Sequence, residues 1–463
     1  MNVLITTFRI AATALAWFGA TVLFVLSPAI GSIASIVAIV VTILIAPAAM
    51  PARFWSVAGW RRGLPLLAFV ALGLSLVVEA ILVLFGGWAT GMTTAEITLV
   101  ALLVASLFIL PANWSTLQQQ PAVLIFIAAF VSLTICFAAT AQQPGDMLFS
   151  TNFLGLLLAP VIYLLALRRP GGRTIAILAA LLAAGAVVGA LVGSYDVFIQ
   201  HKERAIGWGA GGNLMARAVV PLGFMGLAGV LALRSRWRWL LLIGTAASLY
   251  ALYLTGTRGV FVAVPVLGLL FVWALMRQLQ ASRIWYVAGV AVLVLATMGV
   301  GIVSPRFLGL GSVIEQLMGN TAVAQDYATI QRLQMWQAGW GALLRSPLIG
   351  FGWAHLSDAA KPYVLSMYHN DFFNSAVAAG IVGIVAWLAT MLAPIVGVLA
   401  MPRDRFAGTR LYCALLLSLS FFIFGLTDMT FGYDLPTTLH AFLTAIVLGA
   451  FREPGPPEIN PAG

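Results

Sequence analysis

The chain has 463 residues, of which 62% are hydrophobic and only 8% are charged, with 24 Lys and Arg against 14 Asp and Glu. Soluble domains carry roughly 25% charged residues, so this composition excludes a water-soluble globule and requires that most side chains face lipid. The net charge of +10 does not point to nucleic acid, because the basic residues are scattered between apolar runs and form no patch interleaved with aromatics.

A membrane-spanning helix needs about 20 apolar residues. Runs of this kind predict fourteen spans, at 10–26, 29–49, 64–85, 96–110, 121–141, 151–167, 174–193, 213–233, 239–255, 259–276, 284–303, 371–400, 411–427 and 437–451. The first follows Arg9, lacks a small-residue cleavage site and runs at once into the second, so it reads as a retained helix and not a signal peptide. Cys136 and Cys413 lie inside apolar runs and imply no disulfide framework.

The positive-inside rule orients this ladder. Sixteen basic residues, among them Arg53, Arg168, Arg234, Arg277, Arg403 and Arg452, fall on alternate connections, which makes that side and both termini cytoplasmic. The other eight, Lys202, Arg204, Arg217, Arg258, Arg306, Arg332, Arg345 and Lys361, fall on the outer side against the bias. Either they pair with outer acids such as Glu203, Glu315 and Asp326, or they mark an outward-facing anion site.

The domains expected are a helical bundle at 1–303, a long outer loop at 304–370, C-terminal helices at 371–451 and a disordered cytoplasmic tail at 452–463. Within the long loop, Ile330, Leu333, Trp336, Trp340 and Leu343 recur at three- and four-residue spacing and predict an amphipathic helix from Tyr327 to Arg345, ending at Ser346-Pro347. Loops of this length are commonly functional.

Three positions stand out chemically. Arg258, in Thr255-Gly256-Thr257-Arg258-Gly259, sits at the tip of a tight outward hairpin, where it either snorkels to headgroups or presents its fork of donors to phosphate oxygens while the glycines admit a ligand. Arg217 follows Gly211-Gly212-Asn213 about one turn into its span. A charge there costs up to roughly 3 kcal/mol on insertion scales, so it needs a partner, either a buried carboxylate such as Glu79 or an anionic substrate. His369, in Tyr368-His369-Asn370-Asp371, stands at the mouth of a span and is either a helix-start hydrogen-bonding group or a proton acceptor. His201, His355 and His440 lack that combination. There is no Asp-x-Asp pair and no Gly-x-x-x-x-Gly-Lys loop, which speaks against a carboxylate metal site and a nucleotide site.

These residues resemble the O-antigen ligase and polysaccharide polymerase superfamily of bacterial inner membranes. The matching pieces are Gly211-Gly212-Asn213 with Arg217, the hairpin at Arg258, Arg332 with Trp336 ahead of Pro347-Leu348-Ile349-Gly350-Phe351-Gly352, and His369-Asn370 with Gly380. The hairpin departs from the family in one place, Val262 standing where the family has Leu.

The resemblance implies an all-α polytopic membrane protein of about 12 to 14 spans, a GT-C-like, metal-independent inverting glycosyltransferase without cofactor, acting at the periplasmic face of the inner membrane. It implies that Arg217, Arg258 and Arg332 bind the diphosphate of an undecaprenyl diphosphate-linked glycan and that His369 is catalytic, with Asn213, Lys202, Arg345, Asn370 and Asp371 in support. The acceptor is lipid A core for a ligase, a second lipid-linked glycan for a polymerase, or a protein side chain for an O-oligosaccharyltransferase; all three would use the same arginines and histidine, so the motifs do not separate them, and the reading leans slightly to ligation with polymerisation close behind. A lipid-linked sugar flippase is the reading from another class.

Overall fold

The predicted spans from 121 onward form largely where hydropathy places them. The computed structural model describes residue 110 and residues 113–168, 170–207, 211–279, 327–361 and 367–453. The four N-terminal predicted spans, the one at 284–303 and almost all of the tail lie outside the described residues, as does Glu79. Ten helices carry the description: α1 (Pro121–Thr140), α2 (Leu154–Ala166), α3 (Gly172–Ser194), α4 (Gly212–Ala232), α5 (Leu242–Thr255), α6 (Ala263–Leu279), α7 (Tyr327–Arg345), α8 (Asp371–Leu399), α9 (Ala407–Thr427) and α10 (Asp434–Ala450). The described residues contain eight helical stretches long and apolar enough to cross a membrane, with α10 a shorter apolar helix. Apart from one isolated bridge between Phe431 and Tyr433, they contain no strand. Large apolar side chains such as Ile135, Leu181, Leu191, Val385 and Leu392 are exposed, as expected of a surface facing lipid.

The innermost helix is α4, which packs on α3, α5 and α9. Small residues let these backbones approach: a Cβ on Gly223 would collide with Ser248, and one on Gly244 with Ala183. Close small-residue contact replaces hydrophobic drive as the source of helix association in lipid. α8 packs on α1 and α9, and α2 on α10.

One end of the bundle is rich in arginine. There Arg410, fully buried near the start of α9, donates to Asp404 at 2.7 and 2.8 Å and to the carbonyls of Pro402 and Phe451. Burial raises the Asp404 carboxyl and hydrogen bonds and charge from Arg410 outweigh it, so it titrates below its ordinary value.

At the opposite end, the segment after α7 is threaded into α8. α8 is broken at Ala379 and Gly380, where Gly380 has φ +61° and ψ −144°, a region open essentially to glycine. The break accepts the loop Pro347-Leu348-Ile349-Gly350: Ile381 N–H donates to Pro347 O at 2.7 Å, Phe351 N–H to Val377 O at 2.8 Å and Gly352 N–H to Ala378 O at 2.9 Å. A Cβ on Gly380 would lie 2.5 Å from Pro347 O, and one on Gly350 2.5 Å from Val377 O and Ala379 N. The spacing from His369 to Gly380 is therefore a packing requirement: it sets the His a fixed number of helical residues from the loop that pins it.

Beyond this loop, Trp353 is buried against Phe137 and Phe153, and Phe153 in turn meets Phe431. His355 bridges two carboxylates, Nε2 to Asp146 at 3.0 Å and Nδ1 to Asp358 at 3.2 Å. Burial lowers the proton affinity of this imidazole, but hydrogen bonds and charge from Asp358 and Asp146 outweigh that effect and hold it above its ordinary value of 6.5.

Gly380→Ala should lower the thermal midpoint of the purified protein by about 2–6 °C, from a backbone penalty of about 1–3 kcal/mol and the collision with Pro347; a midpoint equal to wild type would contradict the threaded arrangement. Because the folded affinity of His355 is raised, the stability it contributes is complete below about pH 6.5 and is lost as pH rises through the folded value. A wild-type midpoint that falls on passing from about pH 6 to about pH 8, relative to His355→Gln across the same range, is the expected result in differential scanning fluorimetry; parallel curves would refute it.

Candidate active site

The site grows from Asp428, the first residue past the end of α9. Its backbone is extended and its N–H closes the helix on Phe424 O at 2.9 Å. Oδ1 accepts Met429 N–H at 2.8 Å and meets His369 Nδ1 at 2.7 Å. Oδ2 accepts Asn213 Nδ2 at 2.8 Å and the Nη2 of Arg217. The second terminal nitrogen of Arg217 donates to Met429 O, and Thr257 Oγ1 donates to Asn213 Oδ1 at 3.2 Å. Four separate parts of the chain thus converge on one carboxylate: the start of α4, the α5–α6 hairpin, the start of α8 and the α9–α10 loop.

The electrostatics follow from this geometry. Burial pushes the Asp428 carboxyl up, but the hydrogen bond from His369, the charges of Arg217 and His369 and the Met429 N–H outweigh it, holding the group well below the usual carboxylate range. An ionised carboxylate only accepts hydrogen bonds. In the neutral imidazole Nδ1 then carries the proton and Nε2 the lone pair, on a side chain that is 39% exposed. His369 adopts φ +49°, a left-handed conformation that a residue with a Cβ keeps only when its surroundings impose it.

Asn370 and Asp371 shape the frame. The Asn370 side chain caps α8, accepting Phe372 N–H at 2.9 Å and donating to Leu426 O at 3.0 Å. Asp371, fully buried, accepts Thr430 N–H at 2.7 Å and Phe431 N–H at 2.9 Å, so it holds the loop that carries Asp428. Gly425, lacking a side chain, leaves room for that carboxylate.

The sequence-predicted residues separate by position. Asn213, Arg217, His369, Asn370 and Asp371 come together around the α9–α10 loop. Arg258 is exposed at the tip of its hairpin, beginning a short helical turn (Arg258–Phe261) after Gly256 at φ +63°. The glycine after it does not admit a ligand: a Cβ on Gly259 would lie 2.5 Å from Thr427 Oγ1, so its space is filled by the residue preceding Asp428. Arg332 is half-buried on α7, one turn before Trp336.

Two supporting residues lie apart from the cluster. Lys202 Nζ pairs with Asp196 at 2.6 Å, and Asp196 also accepts Ile206 N–H at 2.9 Å and Gly207 N–H at 2.8 Å, closing the loop before α4. Arg345 donates to Ala359 O and lies 5.5 Å from the Phe351 ring centroid, fastening α7 to the segment after it.

The buried carboxylate facing Arg217 is Asp428, which sequence reasoning missed. The Asp follows an apolar span in a short loop, 211 residues from Arg217, and no local spacing announces the pairing. Arg217 itself is only 1% exposed with both terminal nitrogens engaged inside the protein, an arrangement that fixes Asp428 in place of offering a fork to solvent. Among the described residues, no three His, Cys, Asp or Glu side chains gather as a metal-binding group.

Residues 243–388 match the family model described as O-antigen ligase. The matched segment contains Arg258, Arg332, His369 and Gly380, whereas Asn213, Arg217 and Asp428 lie on either side of it and are brought in by the fold. No curated protein matches the chain.

Removing one partner of a buried ion pair strands the other, at a cost of about 3–5 kcal/mol. Asp428→Asn is therefore expected to lower thermal stability markedly, and Arg217→Met combined with Asp428→Leu to recover most of that loss. A double variant no more stable than Asp428→Asn alone, in the same melting assay, would speak against the pair as drawn.

Proposed function

We propose that this chain, which belongs to the O-antigen ligase superfamily through residues 243–388, is an inverting glycosyltransferase of the inner membrane. It moves a glycan from undecaprenyl diphosphate to an acceptor hydroxyl at the periplasmic face, and the acceptor is lipid A core. The observation that carries the reading is the Asp428–His369 pair at 2.7 Å, next to an arginine-bearing hairpin. The description of the matching family favours ligation over polymerisation. The orientation rests on the arginine-rich end of the bundle, which is the cytoplasmic one by the positive-inside rule.

In the proposed reaction the acceptor O–H gives its proton to His369 Nε2 as the oxygen attacks the anomeric carbon. The new C–O bond forms as the bond to the diphosphate oxygen breaks, and the electron pair leaves with undecaprenyl diphosphate. Attack from the face opposite the leaving group inverts the centre. Asp428 holds the imidazole in the tautomer with Nε2 free and stabilises the imidazolium that forms. Arg258 and Arg332 neutralise the departing diphosphate, the task that other glycosyltransferases give to a metal. Arg217, which the family resemblance places on the diphosphate, here orients Asp428 and adds its positive charge from behind. Asn213 and Asp371 fix the two sides of the Asp428 loop; Lys202 and Arg345 secure the neighbouring loops.

In proteoliposomes containing EDTA, the wild type should transfer glycan from a lipid diphosphate donor to lipid A core. His369→Ala and Asp428→Asn should each reduce that transfer by about 10²-fold or more, and Arg258→Ala should abolish it with insertion intact. Wild-type-like product from His369→Ala would end the assignment of the base, and activity restored only by Mg²⁺ would reassign the charge neutralisation. Deletion in the host resolves the acceptor: bare lipid A core with free lipid-linked polymer supports ligation, whereas single capped repeats would replace it with polymerisation.

A further inference from the structure

His369 occupies a backbone conformation that its neighbours must impose, and the groups imposing it come from two directions. On its C-terminal side Asn370 caps α8. On its N-terminal side stands Tyr368, fully buried, whose N–H donates to Asn374 Oδ1 at 2.8 Å and whose hydroxyl donates to Leu356 O at 3.3 Å. Burial pushes that hydroxyl up to about 12, so it stays protonated as a donor. The Tyr368 carbonyl belongs to the peptide plane that leads directly into His369, and it accepts one hydrogen bond from a distant element: Trp336 Nε1–H, at 3.1 Å.

Trp336 reaches this carbonyl from α7, which otherwise lies at the margin of the bundle and packs chiefly on α8. Its indole stacks on Phe373, with centroids 6.0 Å apart and planes at 17°. Three residues on, Gly339 lets Tyr368 and Phe373 come against the helix, since a Cβ there would lie 2.9 Å from each ring. Leu333, Trp340 and Leu344, which adjoin this face of α7, are exposed. One face of the helix is thus fitted to the turn holding His369, and its polar contact with that turn is the indole N–H.

We propose that Trp336 is a positioning residue for His369. Its N–H holds the Tyr368 carbonyl, the carbonyl fixes the peptide plane ahead of His369, and that plane together with Asp428 aims Nε2. Docking of α7 is thereby made a condition for a correctly directed base. Arg332 lies one turn before Trp336, so the helix that carries a cation for the donor also carries the group that directs the base. The inference rests on the reading of His369 as the proton acceptor.

The test removes the N–H and keeps the stack. Trp336→Phe does so genetically, and replacement of Trp336 by β-(3-benzothienyl)alanine does so with the ring shape retained should the phenylalanine variant fold poorly. Two readouts are taken: kcat and KM for the lipid diphosphate donor, and labelling of His369 by diethyl pyrocarbonate relative to exposed His201, mapped by peptide mass spectrometry. We expect an unchanged KM, a kcat lower by about three- to tenfold, the effect of one lost hydrogen bond, and a rise of at least about twofold in the His369 to His201 labelling ratio from the same loss. Wild-type kcat and labelling ratio in both variants would overturn the proposal, as would a loss confined to KM. The labelling needs no turnover, so a changed ratio in a protein whose wild type transfers no glycan would support the clamp while refuting the glycosyltransferase reading.

Discussion

A single carboxylate shared between a guanidinium and an imidazole governs this end of the molecule. Arg217 is 1% exposed inside an apolar bundle, where an unpaired cation is prohibitive. Asp428 must therefore sit where it does, and in doing so it leaves its other oxygen for His369. The two demands are not separable, because the carboxylate stays ionised through its contacts with both bases. A buried ion pair adds little net stability in general; here its consequence is orientational, since it decides which ring nitrogen of His369 keeps its lone pair.

Several glycines serve this arrangement by letting backbone and side chains touch. Gly259 brings the Arg258 hairpin against Thr427, Gly425 makes room for Asp371, and Gly212 brings the start of α4 against Ala205 O at a distance that a Cβ would reduce to 2.6 Å. Gly350 and Gly380 do the same for the loop threaded into α8. The contacts of Gly259 and Gly425 lie directly beside the Asp428 loop, so part of the precision of the site derives from close approach between elements far apart in sequence.

Much of this was legible before the fold was known, and the physical reason differs by feature. Spans are legible because a long apolar run in lipid satisfies its backbone within itself as a helix, so α1 and α8–α10 fall within a few residues of the hydropathy runs. The bounds of α7 match the periodicity, but of its predicted apolar stripe Leu333 and Trp340 are exposed, and Met335, Gly339 and Ala342 are buried instead. Asp428 was not legible: a lone Asp after an apolar run looks like any loop residue, and its partners lie 59 and 211 residues away. The break in α8 was also hidden, since Gly380 sits inside an uninterrupted apolar run and its φ is required by a loop that the run itself does not specify.

The basic residues that violated the charge bias show how composition becomes chemistry. Read as a set, they pointed to an outward anion site, but the fold divides them. Lys202 and Lys361 are paired with neighbouring aspartates, at 2.6 and 2.5 Å; Arg345 ties two segments of one loop; Arg217 is buried behind Asp428. These four are held by their own surroundings. Arg204 and Arg258 are exposed and Arg332 half-buried, while Arg306 lies outside the described residues. The charge that an anionic lipid could meet is thus smaller than the count implied, and Arg258 is singled out because its hairpin is pinned beside Thr427, the residue preceding the carboxylate that orients His369. In the proposed reaction, a cation fixed next to the carboxylate that orients His369 is the one placed to meet a departing diphosphate, whereas Lys202 and Lys361 are each paired with an aspartate.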